Sequence, residues 1–122
     1  MSQKLTIYIN NESVIEYDRN KRLPGKQREY LDKMDSDMDG GFQLGDERID
    51  NPDDKARAKF VAMTLINSIE ADNEQMIVAT CAYLALRQTG LTEVRAMAEG
   101  ENMMMDLVYD QGQEVGFSKT LN

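Results

Sequence analysis

Histidine is absent from all 122 residues. Its absence removes the commonest general base, the commonest metal ligand, and the Ser–His and Cys–His nucleophile pairs. There is no tryptophan and one cysteine, Cys81, so an internal disulfide is impossible. Within ATCAYL that thiol reads as a small buried apolar group, because nothing electropositive lies beside it to activate it. No run of about eighteen apolar residues occurs, so no membrane-spanning helix is expected. The opening MSQKLTIYIN lacks an apolar stretch of signal-peptide length. A cytoplasmic location is the expectation. The glycines are scattered or fall at turns, and none builds a phosphate-binding loop.

Positive charge is also scarce: 14 basic residues face 22 acidic ones, for a net charge of −8. General binding to nucleic acid or anionic lipid is therefore disfavoured. The bases that are present are unevenly spread. RNKRLPGKQR, residues 19–28, holds Arg19, Lys21, Arg22, Lys26 and Arg28 and no acid. These five flank the expected N-terminus of a helix starting at Pro24, whose free N–H groups and positive dipole end attract anions. They are the candidate site for an anionic ligand or an acidic partner protein. The competing reading is a solvated loop that balances the acids between Asp32 and Asp54.

The periodicities predict order. LTIYINNESVIEYD alternates around Leu5, Ile7 and Ile9 and resumes at Val14, Ile15 and Tyr17, a hairpin turning at Asn10–Asn11–Glu12. Tyr30, Leu31, Met34 and Met38 then recur at helical spacing, giving a helix over about 24–39 that stops at Gly40–Gly41. GFQLGDERI suggests a small ribbon turning at Gly45–Asp46. NPDD opens a strong helix, with Asn51 as cap, Pro52 in the first turn and Asp53 and Asp54 offsetting the positive end of the dipole. A further helix starts at the Asp72/Gln75 capping box and ends near Gly90. LTEVRAMAEGENMMMDLVYD predicts a second hairpin, with strands at 92–98 and 103–109 and Met103, Met105, Leu107 and Tyr109 on one face. The class is α+β in two layers: an antiparallel sheet built from N- and C-terminal hairpins, packed against about three helices in the order ββαααββ. Residues 1–110 form the domain and 111–122 a flexible tail.

DSDMDGGFQLGD, residues 35–46, resembles an EF-hand calcium loop. Asp35, Asp37 and Asp39 stand at the first, third and fifth positions, Gly40 at the sixth, and the Gly41 carbonyl at the seventh. Phe42, Gln43 and Asp46 follow at the eighth, ninth and twelfth. The resemblance covers residues 30–46 and implies calcium ligation by Asp35, Asp37, Asp39, Gly41 and Asp46. Aspartate replaces the usual bidentate glutamate at the twelfth position, no exit helix follows, and no second hand is present. The competing and preferred reading carries the helix through Asp39, with Met38 completing its apolar stripe. Three carboxylates then oppose the dipole at that helix's C-terminus, each at a few tenths of a kcal/mol.

Together these features lead to a small cytoplasmic, non-catalytic binding or structural protein of no cofactor. It is expected to self-associate through apolar surface on the helices containing Phe60–Ile69 and Met76–Leu86. A calcium-binding domain is the first alternative. A histidine-free enzyme using carboxylates is the second, and no carboxylate pair in the sequence identifies itself as catalytic.

Overall fold

The computed structural model describes residues 4–19, 25–44 and 47–120. Lys21, Arg22, Pro24, Gly45 and Asp46, all singled out above, lie outside them. Strand β1 (Lys4–Ile9) turns into β2 (Glu12–Asp18) through Asn10 and Asn11, whose φ values are 52° and 68°. Two consecutive left-handed residues define the tight hairpin turn whose twist matches that of the strands, and asparagine tolerates that conformation. Helix α1 (Gly25–Asp39) turns only Leu31 and Met38 fully inward. It ends where the Gly41 amide donates to the Met38 carbonyl at 2.9 Å. Gly41 sits at φ 93°, and a Cβ there would fall 2.4 Å from the Ile49 carbonyl oxygen. The ribbon β3 (Phe42–Leu44) and β4 (Glu47–Ile49) follows. Phe42 stacks on Phe60 of the next helix with centroids 4.3 Å apart.

Helix α2 (Asp54–Glu70) is capped by Asp53, whose Oδ1 accepts from the Ala56 amide at 2.8 Å. The cap thus falls two residues beyond Asn51, and Pro52 precedes the helix rather than opening it. Helix α3 (Glu74–Arg87) is capped by Asn73, which accepts from the Met76 amide. Asp72 instead takes the left-handed linker position at φ 57°.

The chain closes with β5 (Leu91–Glu99), β6 (Asn102–Tyr109) and β7 (Glu114–Thr120), and the main sheet runs β2-β1-β5-β6-β7. The C-terminal hairpin matches expectation, with Met97 opposite Met104 and Val94 opposite Leu107.

Beyond the two caps, the sheet differs from the sequence reading in two ways. The sheet is mixed, because β1 and β5 are parallel, pairing Ile7 with Val94. The chain leaves β2 on one side of β1 and re-enters the sheet as β5 on the other, and the three helices and the β3–β4 ribbon make that long connection. Asn10 reinforces this seam: its amide donates to the Ala96 carbonyl at 2.8 Å and its Oδ1 accepts from the Ala98 amide at 2.9 Å. Residues 114–120, expected within a flexible tail, form an edge strand instead. Val115 and Phe117 alternate inward and pack on the core, a two-residue period that the polar residues around them obscure. Gly116 between them lets the strand approach Asp106, since a Cβ would lie 3.0 Å from its Oδ1.

One face of the sheet carries the core. Leu5, Ile7, Val94, Met105 and Leu107 are fully covered against Val61, Leu65, Ile66 and Leu84 of α2 and α3. Ending the chain at Gln113 is expected to lower the unfolding free energy by about 2 kcal/mol or more through exposure of Val115, Phe117 and the strand they cover. Urea denaturation measures the loss.

Candidate functional site

The acidic residues of α1 are organised by two arginines from elsewhere. Arg57 of α2 reaches across to donate from Nη1 to Asp35 Oδ1 at 3.1 Å and to the Asp35 carbonyl at 3.0 Å. Its Nη2 donates to Asp39 Oδ1 at 2.7 Å. Arg87, in the last turn of α3, pairs with Asp32 at 2.6 Å and with Asp35 at 3.3 Å. The buried Tyr83 donates its hydroxyl to Asp35 at 2.5 Å. Asp37 points the other way, to Lys33 one turn back at 2.9 Å. Arg48 donates to the Gly40 carbonyl at 3.0 Å. The helix-terminal carboxylates and orphan carbonyls that oppose the dipole are thus answered by cations and hydroxyls of the protein itself.

Asp35, Asp37 and Asp39 all lie within α1, and that helical backbone separates their side chains onto different partners. An EF-hand loop instead wraps them around one point. Among the described residues no three carboxylate or thiol groups converge as metal ligands.

The basic stretch is divided in a comparable way. Arg19 is half-buried and spends its guanidinium on the C-terminus of α3. Its Nη2 donates to the carbonyls of Ala85, Gln88 and Thr89 at 3.0, 2.8 and 2.9 Å, and its Nη1 donates to that of Leu91. Burial lowers its pKa while nearby Asp110 opposes that shift. Arg19 therefore acts as a cap for α3 and is turned away from any solvent anion. Lys26 and Arg28 are exposed on the first turns of α1. Arg28 borders a small recess of about 270 Å³ with Leu31, Asp32 and Arg87.

A second recess is one the sequence reading missed. It opens between the N-terminal halves of α1 and α3, with a volume of about 540 Å³. Tyr30 and Leu31 form one wall, Met76 and Val78 the other, and Ala79 and Ala82 the floor. Alanine leaves this hollow because its side chain ends at Cβ. Tyr30 Oη lies 3.4 Å from Met76 Sδ across the gap. The rim carries Lys26 on the α1 side and Glu74 on the α3 side. Tyr30 and Val78 remain 39% and 43% exposed beside it and place apolar surface at its mouth. The sequence signal was present as the excess apolar surface of α3. The location was not, because it depends on how α1 docks.

Reactive groups are few. Cys81 is sealed in the core and its thiol is pushed up to about 12 by burial. Tyr83 is also raised, by burial first and then by its bond to Asp35, which keeps it a neutral donor. No described helix is long and apolar enough to cross a membrane. No family model matches the chain, and comparison with curated proteins and solved structures found no match.

Two outcomes follow from this geometry. Asp35→Asn is expected to cost about 2 kcal/mol, because the charge that Arg57 and Arg87 share is removed and one of the two oxygens that accept from Arg57, Arg87 and Tyr83 becomes a donor. Asp37→Ala should stay within about 0.5 kcal/mol, because its ion pair with Lys33 is exposed on both sides; paired urea melts compare them. Cys81 and Tyr83 both have folded pKa values raised above 9.0 and 10.0. The unfolded chain therefore loses these protons first, so stability is intact below about pH 9 and falls as pH rises toward the folded values. Tyr83→Phe should flatten that alkaline decline in melting temperature while lowering stability at neutral pH.

Proposed function

We propose that this chain is a small, non-catalytic binding or structural protein whose first activity is self-association, with the groove of one copy closing on that of another. The observation that carries this reading is the groove itself: exposed Tyr30 and Val78 beside Met76, with walls of opposite charge. A two-fold axis lying along the groove places α1 of one copy over α3 of its partner. Lys26 then faces the partner's Glu74, and the reverse pair forms by symmetry, as a self-complementary interface requires. Leu86, a further exposed apolar side chain two turns along α3, extends the surface available. Full burial of a side chain such as valine or leucine contributes roughly 1.5–3 kcal/mol, so a few of them offset much of the cost of association.

A cytoplasmic location fits the single, deeply buried thiol. Lys26 and Arg28 are the described members of the basic stretch still accessible to an acidic partner or anionic ligand, and Lys26 is shared with the groove rim.

Light scattering at high micromolar concentration tests the assembly against the monomer mass of 13.9 kDa. Wild type is expected at twice that value. Lys26→Glu and Glu74→Lys should each weaken the dimer about tenfold, since two symmetry-related contacts turn repulsive. An equimolar mixture of the two variants should restore it as a heterodimer. A wild type that stays monomeric, or a mixture no tighter than either variant alone, overturns the reading.

A further inference from the structure

The helices cover one face of the five-stranded sheet, and among the described residues no element covers the other. The strand registers identify what it presents. Lys4, Thr6 and Tyr8 of β1 lie beside Asp18 and Glu16 of β2. Glu93, Arg95, Met97 and Glu99 of β5 lie beside Val108, Asp106, Met104 and Asn102 of β6, and Glu114 of β7 lies beyond. Six carboxylates (Glu16, Asp18, Glu93, Glu99, Asp106, Glu114) thus share the face with two cations (Lys4, Arg95), a balance of −4.

Both cations are already engaged within the face. Lys4 sits 3.7 Å from Glu16, and Arg95 holds Glu93 at 2.6 Å while stacking on the Tyr8 ring at 4.4 Å. Glu99 and Asp106 meet no cation among the described residues. Gly116 of β7 passes beside Asp106 without a side chain to cover it.

At the centre of this acidic field stands an apolar pair. Met97 and Met104 are direct cross-strand partners, 41% and 42% exposed. They border a recess of about 220 Å³ together with Tyr8, Arg95, Glu99 and Asp106. A sheet face that serves only to meet water gains nothing from two exposed methionines side by side, whereas flexible, polarizable thioethers suit a surface that moulds itself to another chain.

We infer that the open sheet face binds a cationic polypeptide segment, one that sets an apolar side chain between Met97 and Met104 and lysine or arginine against Glu99 and Asp106. Charge complementarity selects this occupant. Nucleic acid and anionic lipid are repelled by the face, and a second copy presenting the same face is repelled equally. The surface is distinct from the α1–α3 groove, so it operates whether or not the chain self-associates.

The test uses the full chain and a fluorescein-labelled peptide of alternating lysine and leucine, with an all-lysine peptide of equal length as comparison. Saturable binding of the mixed peptide at low salt is expected, weakening as salt rises because exposed charges are screened. Amide shifts should centre on β5 and β6. Met97→Ser/Met104→Ser and Glu99→Gln/Asp106→Asn should each weaken binding about tenfold, with melting temperatures near wild type because these side chains are exposed. Equal affinity for the all-lysine peptide, insensitivity to both double variants, or shifts confined to α1 and α3 overturn the proposal.

Discussion

The arrangement of this molecule turns on the contact between Arg57 and Asp35. Helix α1 is poorly equipped to dock by hydrophobic burial, since only Leu31 and Met38 are fully covered. What fixes it is a polar clamp at its C-terminal end, where Arg57 is anchored by the Pro52 carbonyl at 3.3 Å and by two carboxylates. Arg57's side chain is only 19% exposed. The pair is therefore screened less than a surface bridge and depends more on complete satisfaction. Arg87 and Tyr83 complete that satisfaction from α3. A helix held at one end by directional bonds, with small Ala79 and Ala82 opposite its other end, leaves a groove there. The clamp and the groove are two consequences of the same placement.

Much of the fold was legible because it is local. The alternation of Leu5 and Ile7, the Asn10–Asn11 turn, and the run of Met103, Met105, Leu107 and Tyr109 each report neighbouring residues only. Parallel pairing of β1 with β5 was not legible, because it joins residues 87 positions apart, Thr6 with Glu93 for one, and no local pattern distinguishes the two strand directions. The same limit applies to the site. Asp35 finds Arg57 across 22 residues and Tyr83 across 48. The row of aspartates that resembles a calcium loop in one dimension is dispersed around a helix in three. Arg19 looked like part of a basic loop, yet its partners lie 66 to 72 residues downstream.

These assignments alter the meaning of the uneven charge. The sequence suggests a bipolar molecule, with a basic patch opposed to an acidic one. In the fold, several of the arginines are drawn into intramolecular work: Arg19 on the carbonyls ending α3, Arg48 on the end of α1, Arg57 and Arg87 on its carboxylates. Guanidinium suits this because its fixed fork of donors serves several acceptors at once. The outer face of the sheet, where no described helix packs, has few cations of its own: Lys4 and Arg95 stand among six carboxylates.

Two accessible surfaces of different character result, and they sit on opposite layers of the domain. The groove between α1 and α3 balances Lys26 against Glu74 around an apolar floor, a pattern complementary to itself. The sheet face sets Met97 and Met104 in an acidic surround, a pattern complementary only to something positive. In the proposed reading the two differ in what they admit because their charges are differently balanced. The groove rim matches one cation with one acid, so like can meet like there, whereas the sheet face sets six acids against two cations and repels a copy of itself. A dimer formed through the groove would then carry two acidic faces pointing outward, each free to engage a cationic segment without disturbing the other.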